Sequence, residues 1–128
     1  LDIDINTLEI KSGPVFSNPV DFSDTLRWTA IVSGRVTDFD IACSYGVHSW
    51  EDNIKGILAG AGAIQLCSVL YEQGADVVTN MLTCIEEWML QNNYSNIEEF
   101  RGKLNYANIK SPYMYERVQF MKYFSSYK

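Results

Sequence analysis

Gly46 and Ser68 are where chemistry could be placed, because each follows a short apolar run at the point where a strand gives way to a loop. Ile41-Ala42-Cys43 precedes the first and Ile64-Gln65-Leu66-Cys67 the second. A glycine lets the backbone approach an anion closely, and a turn at Ser68-Val69-Leu70 would aim unpaired amide N–H groups at it. No lysine is needed for such a site. A lone glycine after a strand is more commonly a simple turn residue, so pattern alone leaves both readings open. His48, the single histidine of the chain, lies beside this place. Its imidazole could donate a proton or contact a phosphate; the plainer reading is a partly exposed loop residue next to a helix cap at Ser49. Arg27 and Arg35 could reach an anion, but on a helix they are expected to be solvated or paired with acids such as Asp24 or Asp38. Adjacent Glu86 and Glu87 point in different directions on a helix, which makes them a solvated face instead of a carboxylate pair.

The elements that would position these residues follow from pattern. Thr7-Leu8-Glu9-Ile10-Lys11 alternates apolar and polar residues, Ser12-Gly13-Pro14 has turn chemistry, and Val15-Phe16 resumes an extended run, so a β-hairpin is expected there. Leu26, Ala30 and Ile31 recur at helical spacing, with Ser23 or Asp24 as cap and Gly34 at the end. The apolar run from Asp40 to Tyr45 suits a strand covered on both faces. Ser49-Trp50-Glu51-Asp52 reads as a capping box opening a helix with Ile54, Ile57 and Leu58 on one face, closed by Gly60 and Gly62. Ala63 to Cys67 is then a second buried strand. Strand, short helix and strand make a βαβ unit, whose strands are parallel, so the loops at Tyr45-Gly46-Val47 and Cys67-Ser68 open side by side. In parallel α/β proteins ligands bind at the carboxyl ends of the strands.

Beyond this unit, Ser68 to Glu72 forms one short helical turn before Gly74. Val77, Met81, Ile85, Trp88 and Met89 make the apolar stripe of a long helix over residues 76–91. Ser95-Asn96-Ile97-Glu98 reads as another capping box, starting a helix to about Leu104. Ser111-Pro112 starts a last helix carrying Met114, Val118, Met121 and Phe124. Its tyrosines and phenylalanines are expected to pack over the main body or across a subunit boundary.

Composition narrows the function classes. With 128 residues, 47% of them hydrophobic, the chain can build one core and not two. Acidic residues outnumber basic ones 16 to 10 with no basic run, which argues against a nucleic-acid surface. No apolar stretch approaches the ~20 residues of a membrane span, and no signal peptide is evident, so no membrane partner is expected and a cytoplasmic location is. Cys43, Cys67 and Cys84 are three in number and lack C-x-x-C spacing. They are expected to be buried free thiols, with no metal site. The opening Leu1-Asp2-Ile3-Asp4-Ile5 reads as the end of an element.

Ser44-Tyr45-Gly46-Val47, Glu51-Asp52, Ile57-Leu58-Ala59-Gly60-Ala61 and the run from Ile64 through Leu70-Tyr71-Glu72-Gln73-Gly74 resemble, in order and spacing, the last two βα units of dihydroorotate dehydrogenases. Asp2-Ile3-Asp4, Leu26-Arg27-Trp28-Thr29-Ala30-Ile31, Gly34-Arg35-Val36, Glu87-Trp88-Met89, Phe100-Arg101-Gly102 and the segment from Tyr115 to Phe124 extend the resemblance to a branch of dihydroorotate dehydrogenase-like proteins. The resemblance implies an FMN-dependent oxidoreductase of pyrimidine biosynthesis and a (β/α)8 TIM barrel of about 250 residues, of which this chain is the C-terminal portion. It implies a single incomplete domain: residues 1–22 a hairpin region, 23–104 the last βα units, 105–128 a C-terminal helical extension. Carried over residue by residue, the FMN phosphate falls to Ser44, Tyr45, Gly46 and Val47 and to Cys67 and Ser68. Tyr45 and Cys67 stand where the family commonly has glycine; at Tyr45 a Cβ would strain a φ > 0 backbone or turn a ring toward the ligand.

By the same resemblance the catalytic base and the groups that bind a substrate such as dihydroorotate lie upstream, so none is assigned here. The expected partners are the N-terminal part of the barrel or further copies of the chain. From another class, the alternative is a non-catalytic half-barrel that binds a phosphorylated ligand or serves as an assembly module.

Overall fold

The computed structural model describes residues 2–116. Its architecture is mixed α/β, with helices packed around a short parallel strand pair. The last helix expected from sequence runs largely outside the described residues: α5 (Tyr113–Glu116) begins directly after Pro112, while Val118, Met121 and Phe124 lie beyond them.

The hairpin forms one strand earlier than expected. β1 (Asp2–Asp4) pairs antiparallel with β2 (Glu9–Lys11), Ile3 opposite Ile10. The alternating residues from Thr7 to Lys11 therefore pair upstream. Asp4 closes the turn: its carboxylate accepts the N–H groups of Asn6 (2.9 Å) and Thr7 (3.3 Å), and its carbonyl that of Leu8 (2.8 Å). Aspartate makes such turns because its short side chain reaches the backbone two residues on. Val15 and Phe16 do not continue as a strand.

α1 (Phe22–Arg35) is reached through a 3-10 turn at Pro19–Asp21, capped by Asn18 instead of Ser23 or Asp24. The Asn18 side chain accepts the Val20 N–H, and the Asp21 carboxylate accepts that of Asn18. Gly34 falls inside α1 and does not end it; a Cβ there would lie 2.7 Å from the Ala107 backbone nitrogen, so the glycine admits the returning chain.

β3 (Ala42–Cys43) and β4 (Ala63–Ile64) are parallel, with Ala42 opposite Ala63 and Cys43 opposite Ile64. Both are shorter than the apolar runs that contain them. Each has a single strand neighbour among the described residues, so only one side of each run finds hydrogen-bond partners. Between them α2 (Trp50–Leu58) carries the expected capping box: the Ser49 hydroxyl accepts the Asp52 N–H and the Asp52 carboxylate accepts that of Ser49. Cys43 and Ile64 face α2 at Gly56, where a Cβ would meet the Ile64 side chain at 2.7 Å. Phe22, Cys43, Val47 and Ala61 form the core under this unit.

α3 (Ser68–Gln73) ends at Gly74, whose φ of 79° carries the chain into α4 (Asp76–Gln91). Val77, Met81 and Ile85 of the expected stripe are buried, Trp88 and Met89 half-buried, and Glu86 and Glu87 exposed. The helix expected to run to Leu104 is replaced by a 3-10 turn, Ile97–Glu99, capped by Asn96 and not Ser95. The chain then turns at Gly102 (φ 70°) to donate where α2 ends. Gly102 N–H reaches the Ile57 carbonyl and Leu104 N–H that of Leu58, both at 2.9 Å. The Ile57 carbonyl also accepts the Gly60 N–H at the C-terminal turn of α2 (2.9 Å); carbonyls at a helix end are free to take such outside donors, which is why an irregular segment outcompetes a helix here. Phe100 locks the segment, fully buried against Trp88 and Tyr94 with ring centroids at 5.2 and 5.0 Å.

Candidate functional site

Parallel pairing brings the loops after β3 and β4 to the same end of two neighbouring strands. Among the described residues, no hydrogen bond reaches the amide N–H groups of Tyr45, Gly46 and Val47 in the first loop, or of Ser68 and Val69 in the second. Four of these residues, Gly46, Val47, Ser68 and Val69, are buried. The two groups follow paired parallel strands and present backbone donors that no protein acceptor takes among the described residues.

Local structure explains how the donors come free. Tyr45 and Gly46 both adopt positive φ, 83° and 78°, which bends the chain sharply off β3. Tyr45 tolerates this non-glycine geometry while its carbonyl accepts the Thr25 hydroxyl of α1 at 2.9 Å. A Cβ at Gly46 would stand 2.5 Å from the Phe22 backbone nitrogen. The lack of a side chain there is therefore used by the close approach of α1. Val47, next along, is core. Ser44 is exposed. Cys67 is exposed and Cys84 half-buried, so of the three free thiols only Cys43 is buried as expected. Burial pushes the Cys43 thiol above its ordinary range, with Asp52 acting in the same direction and a hydrogen bond with Thr29 opposing it.

The Tyr45 ring does not turn toward Ser68. It is 61% exposed and lines an open groove of about 530 Å3 beside α1, with Trp28, Phe39, Asp21, Asp24 and Asp40. The carboxylates make that groove unsuited to a phosphate. Arg27 and Arg35 leave Asp24 and Asp38 alone. Arg35 pairs with Glu116, and Arg27 donates to the carbonyls of Tyr115 and Glu116, so both tie α1 to the start of the tail.

A group that sequence did not signal lies over the second loop. Ser17 N–H donates to the Ser68 hydroxyl at 2.9 Å, and the two hydroxyls are 3.0 Å apart. His48 Nε2 sits 2.9 Å from the Ser17 carbonyl and Nδ1 3.4 Å from the Glu72 carboxylate. A carbonyl only accepts, so Nε2 carries the hydrogen. His48 is the partly exposed loop residue expected next to the Ser49 cap, and its side chain, 9% exposed, bridges Ser17 and Glu72. Ser17 and Ser68 are 51 positions apart, too far for any local motif to show the contact. Among the described residues no group of three or more His, Cys, Asp or Glu could hold a metal ion, and no helix is long and apolar enough to cross a membrane.

No family model matches the chain. Among curated proteins it is 39% identical over 59 residues to a dihydroorotate dehydrogenase (fumarate) of Trypanosoma cruzi and 33% identical over 60 residues to one of Lachancea kluyveri. Over about half of its length the chain is similar to dihydroorotate dehydrogenases. The match takes in 46% and 47% of this chain but 19% of each dihydroorotate dehydrogenase, so the shared stretch spans about a fifth of those relatives. A Streptococcus uberis protein named as a dihydroorotate dehydrogenase A (fumarate) gives similar proportions, 34% identity over 63 residues, 49% of this chain and 20% of its own. The resemblance to dihydroorotate dehydrogenases is borne out by these matches over about half of the chain.

Proposed function

We propose that the chain is the C-terminal part of a flavin-dependent oxidoreductase of the dihydroorotate dehydrogenase type, forming the last βα units of a (β/α)8 barrel and holding the FMN phosphate. The observation that carries this reading is the pair of unfilled amide sets, Tyr45-Gly46-Val47 and Ser68-Val69, at adjacent carboxyl ends of parallel strands. The donor chemistry fits. A phosphate takes backbone N–H groups without a cationic side chain, and the net charge of −6 makes such a neutral, local site the suitable kind. Gly46 and Val47 would hold the phosphate from one side and Ser68 and Val69 from the other. Tyr45 supplies a further amide, and Ser44 and Cys67 frame the loops with their backbones.

When bound, the cofactor supplies the hydride-accepting chemistry, and the protein's part is to position it. In this reading, substrate and catalytic base belong to strands outside this chain, the partner is the rest of the barrel, and the location is cytoplasmic. Oxidation of dihydroorotate, with a place in pyrimidine synthesis, is the activity that the relatives' names carry to the whole protein.

One observation favours an assembly role as well. Ile5, Leu8, Ile10 and Val15 are each more than 70% exposed, a run of apolar side chains that a neighbouring segment or copy would cover.

Flavin fluorescence titration of the full chain tests the phosphate assignment. FMN is expected to bind at least about tenfold more tightly than riboflavin, which lacks the phosphate, and inorganic phosphate to compete. Equal affinity for FMN and riboflavin, or binding of neither, contradicts the reading.

A further inference from the structure

Segment 15–18 runs between His48, next to the first loop, and Ser68 and Tyr71 of α3. Phe16 packs on Tyr71 of α3 with ring centroids 5.6 Å apart. Ser17 donates its N–H to Ser68 and its carbonyl accepts from His48 Nε2, each at 2.9 Å. His48 is itself held from both ends: its backbone N–H donates to Asp52 at 3.2 Å and its Nδ1 faces Glu72 at 3.4 Å. The imidazole therefore joins the first loop, the strap and α3 at one point. Beyond the strap contact, His48 reaches no free amide of the site.

We propose that His48 is a positioning residue that latches segment 15–18 across the anion site, so that the strap governs how fast a bound phosphate group leaves. The inference rests on the phosphate reading above and adds to it a closing element. Ser17 meets Ser68, whose own N–H is one of the unfilled donors, so a ligand on that amide leaves past the strap. Losing the His48 bond leaves the Ser17 carbonyl without its imidazole partner and frees the segment to open on the Phe16 side, where exposure is already 47%.

Two rates measured on the full chain test this: hydrogen exchange at the Ser17 amide by NMR, and dissociation of FMN by stopped-flow displacement. His48→Ala is expected to raise both by about tenfold, the effect of one lost hydrogen bond. His48→Gln places an amide donor near the Nε2 position and is expected to return both to within about threefold of wild type. Phe16→Ala, at a half-exposed position, loosens the strap without touching His48 and is expected to move both rates the same way; it carries the test should His48→Ala unfold. Faster Ser17 exchange with unchanged FMN dissociation would overturn the gate, leaving the strap merely structural. Unchanged Ser17 exchange in His48→Ala would overturn the latch. Failure of the wild-type chain to bind FMN overturns the phosphate reading and the gate with it, and is told apart because Ser17 exchange still reports the latch.

Discussion

Replacing Tyr45 with glycine removes a Cβ from a backbone held at φ 83°, a conformation that costs a non-glycine residue roughly 1–2 kcal/mol. The ring is 61% exposed and contributes little burial in return. Tyr45→Gly is therefore expected to stabilise the fold by about 1 kcal/mol in urea unfolding, leaving the Gly46 and Ser68 amides in place. Loss of stability would mean that the ring's contacts in the acidic groove outweigh the strain. The thiols make a second prediction at this scale. Cys67 is exposed, whereas Cys43 is 1% exposed with its thiol pushed up by burial, so iodoacetamide should modify Cys67 at least about tenfold faster in the native protein. Because the folded-state value is raised, the Cys43 contribution is fully present below the ordinary thiol range and is lost as pH rises through the folded value. Stability should fall in alkaline solution, and Cys43→Ala should remove that part of the decline.

At the scale of elements, legibility tracked how local the determining contacts are. The Ser49 box and α4 were readable because cap and stripe lie within a few residues of each other. Ser49→Ala is expected to lower stability by about 1 kcal/mol, seen as a lower urea midpoint at unchanged slope; no change would mean that Asp52 alone sustains the cap. The segment after Asn96 is illegible in the sequence for the opposite reason. Its helix signal is local, but its backbone is claimed by distant carbonyls at Ile57, Leu58 and Ala30, and Gly102 turns it toward them. The hairpin lies one strand upstream of its sequence signal because Ser12-Gly13-Pro14 is stronger punctuation than the Asp4 turn that forms. The parallel pairing and the two loops were foreseen, while the strap, held by contacts across 31 and 51 positions, had no local trace.

At the scale of the whole molecule, the shared stretch takes in about a fifth of each relative, while the described fold holds one parallel pair with each strand joined to a single neighbour. A phosphate site built from two adjacent loops needs only that pair, which is why the site can be tested on this chain. A complete flavin site needs more strands. In the proposed function the loops around Gly46 and Ser68 would anchor the phosphate, and the chemistry would fall to strands outside the described pair. The most direct measurement is an amide NMR titration of the full chain with FMN. Shifts concentrated at Tyr45, Gly46, Val47, Ser68 and Val69, reproduced by inorganic phosphate, are the expected result. Shifts centred on the groove at Trp28 and Phe39, or none at the two loops at saturating FMN, would contradict the assignment.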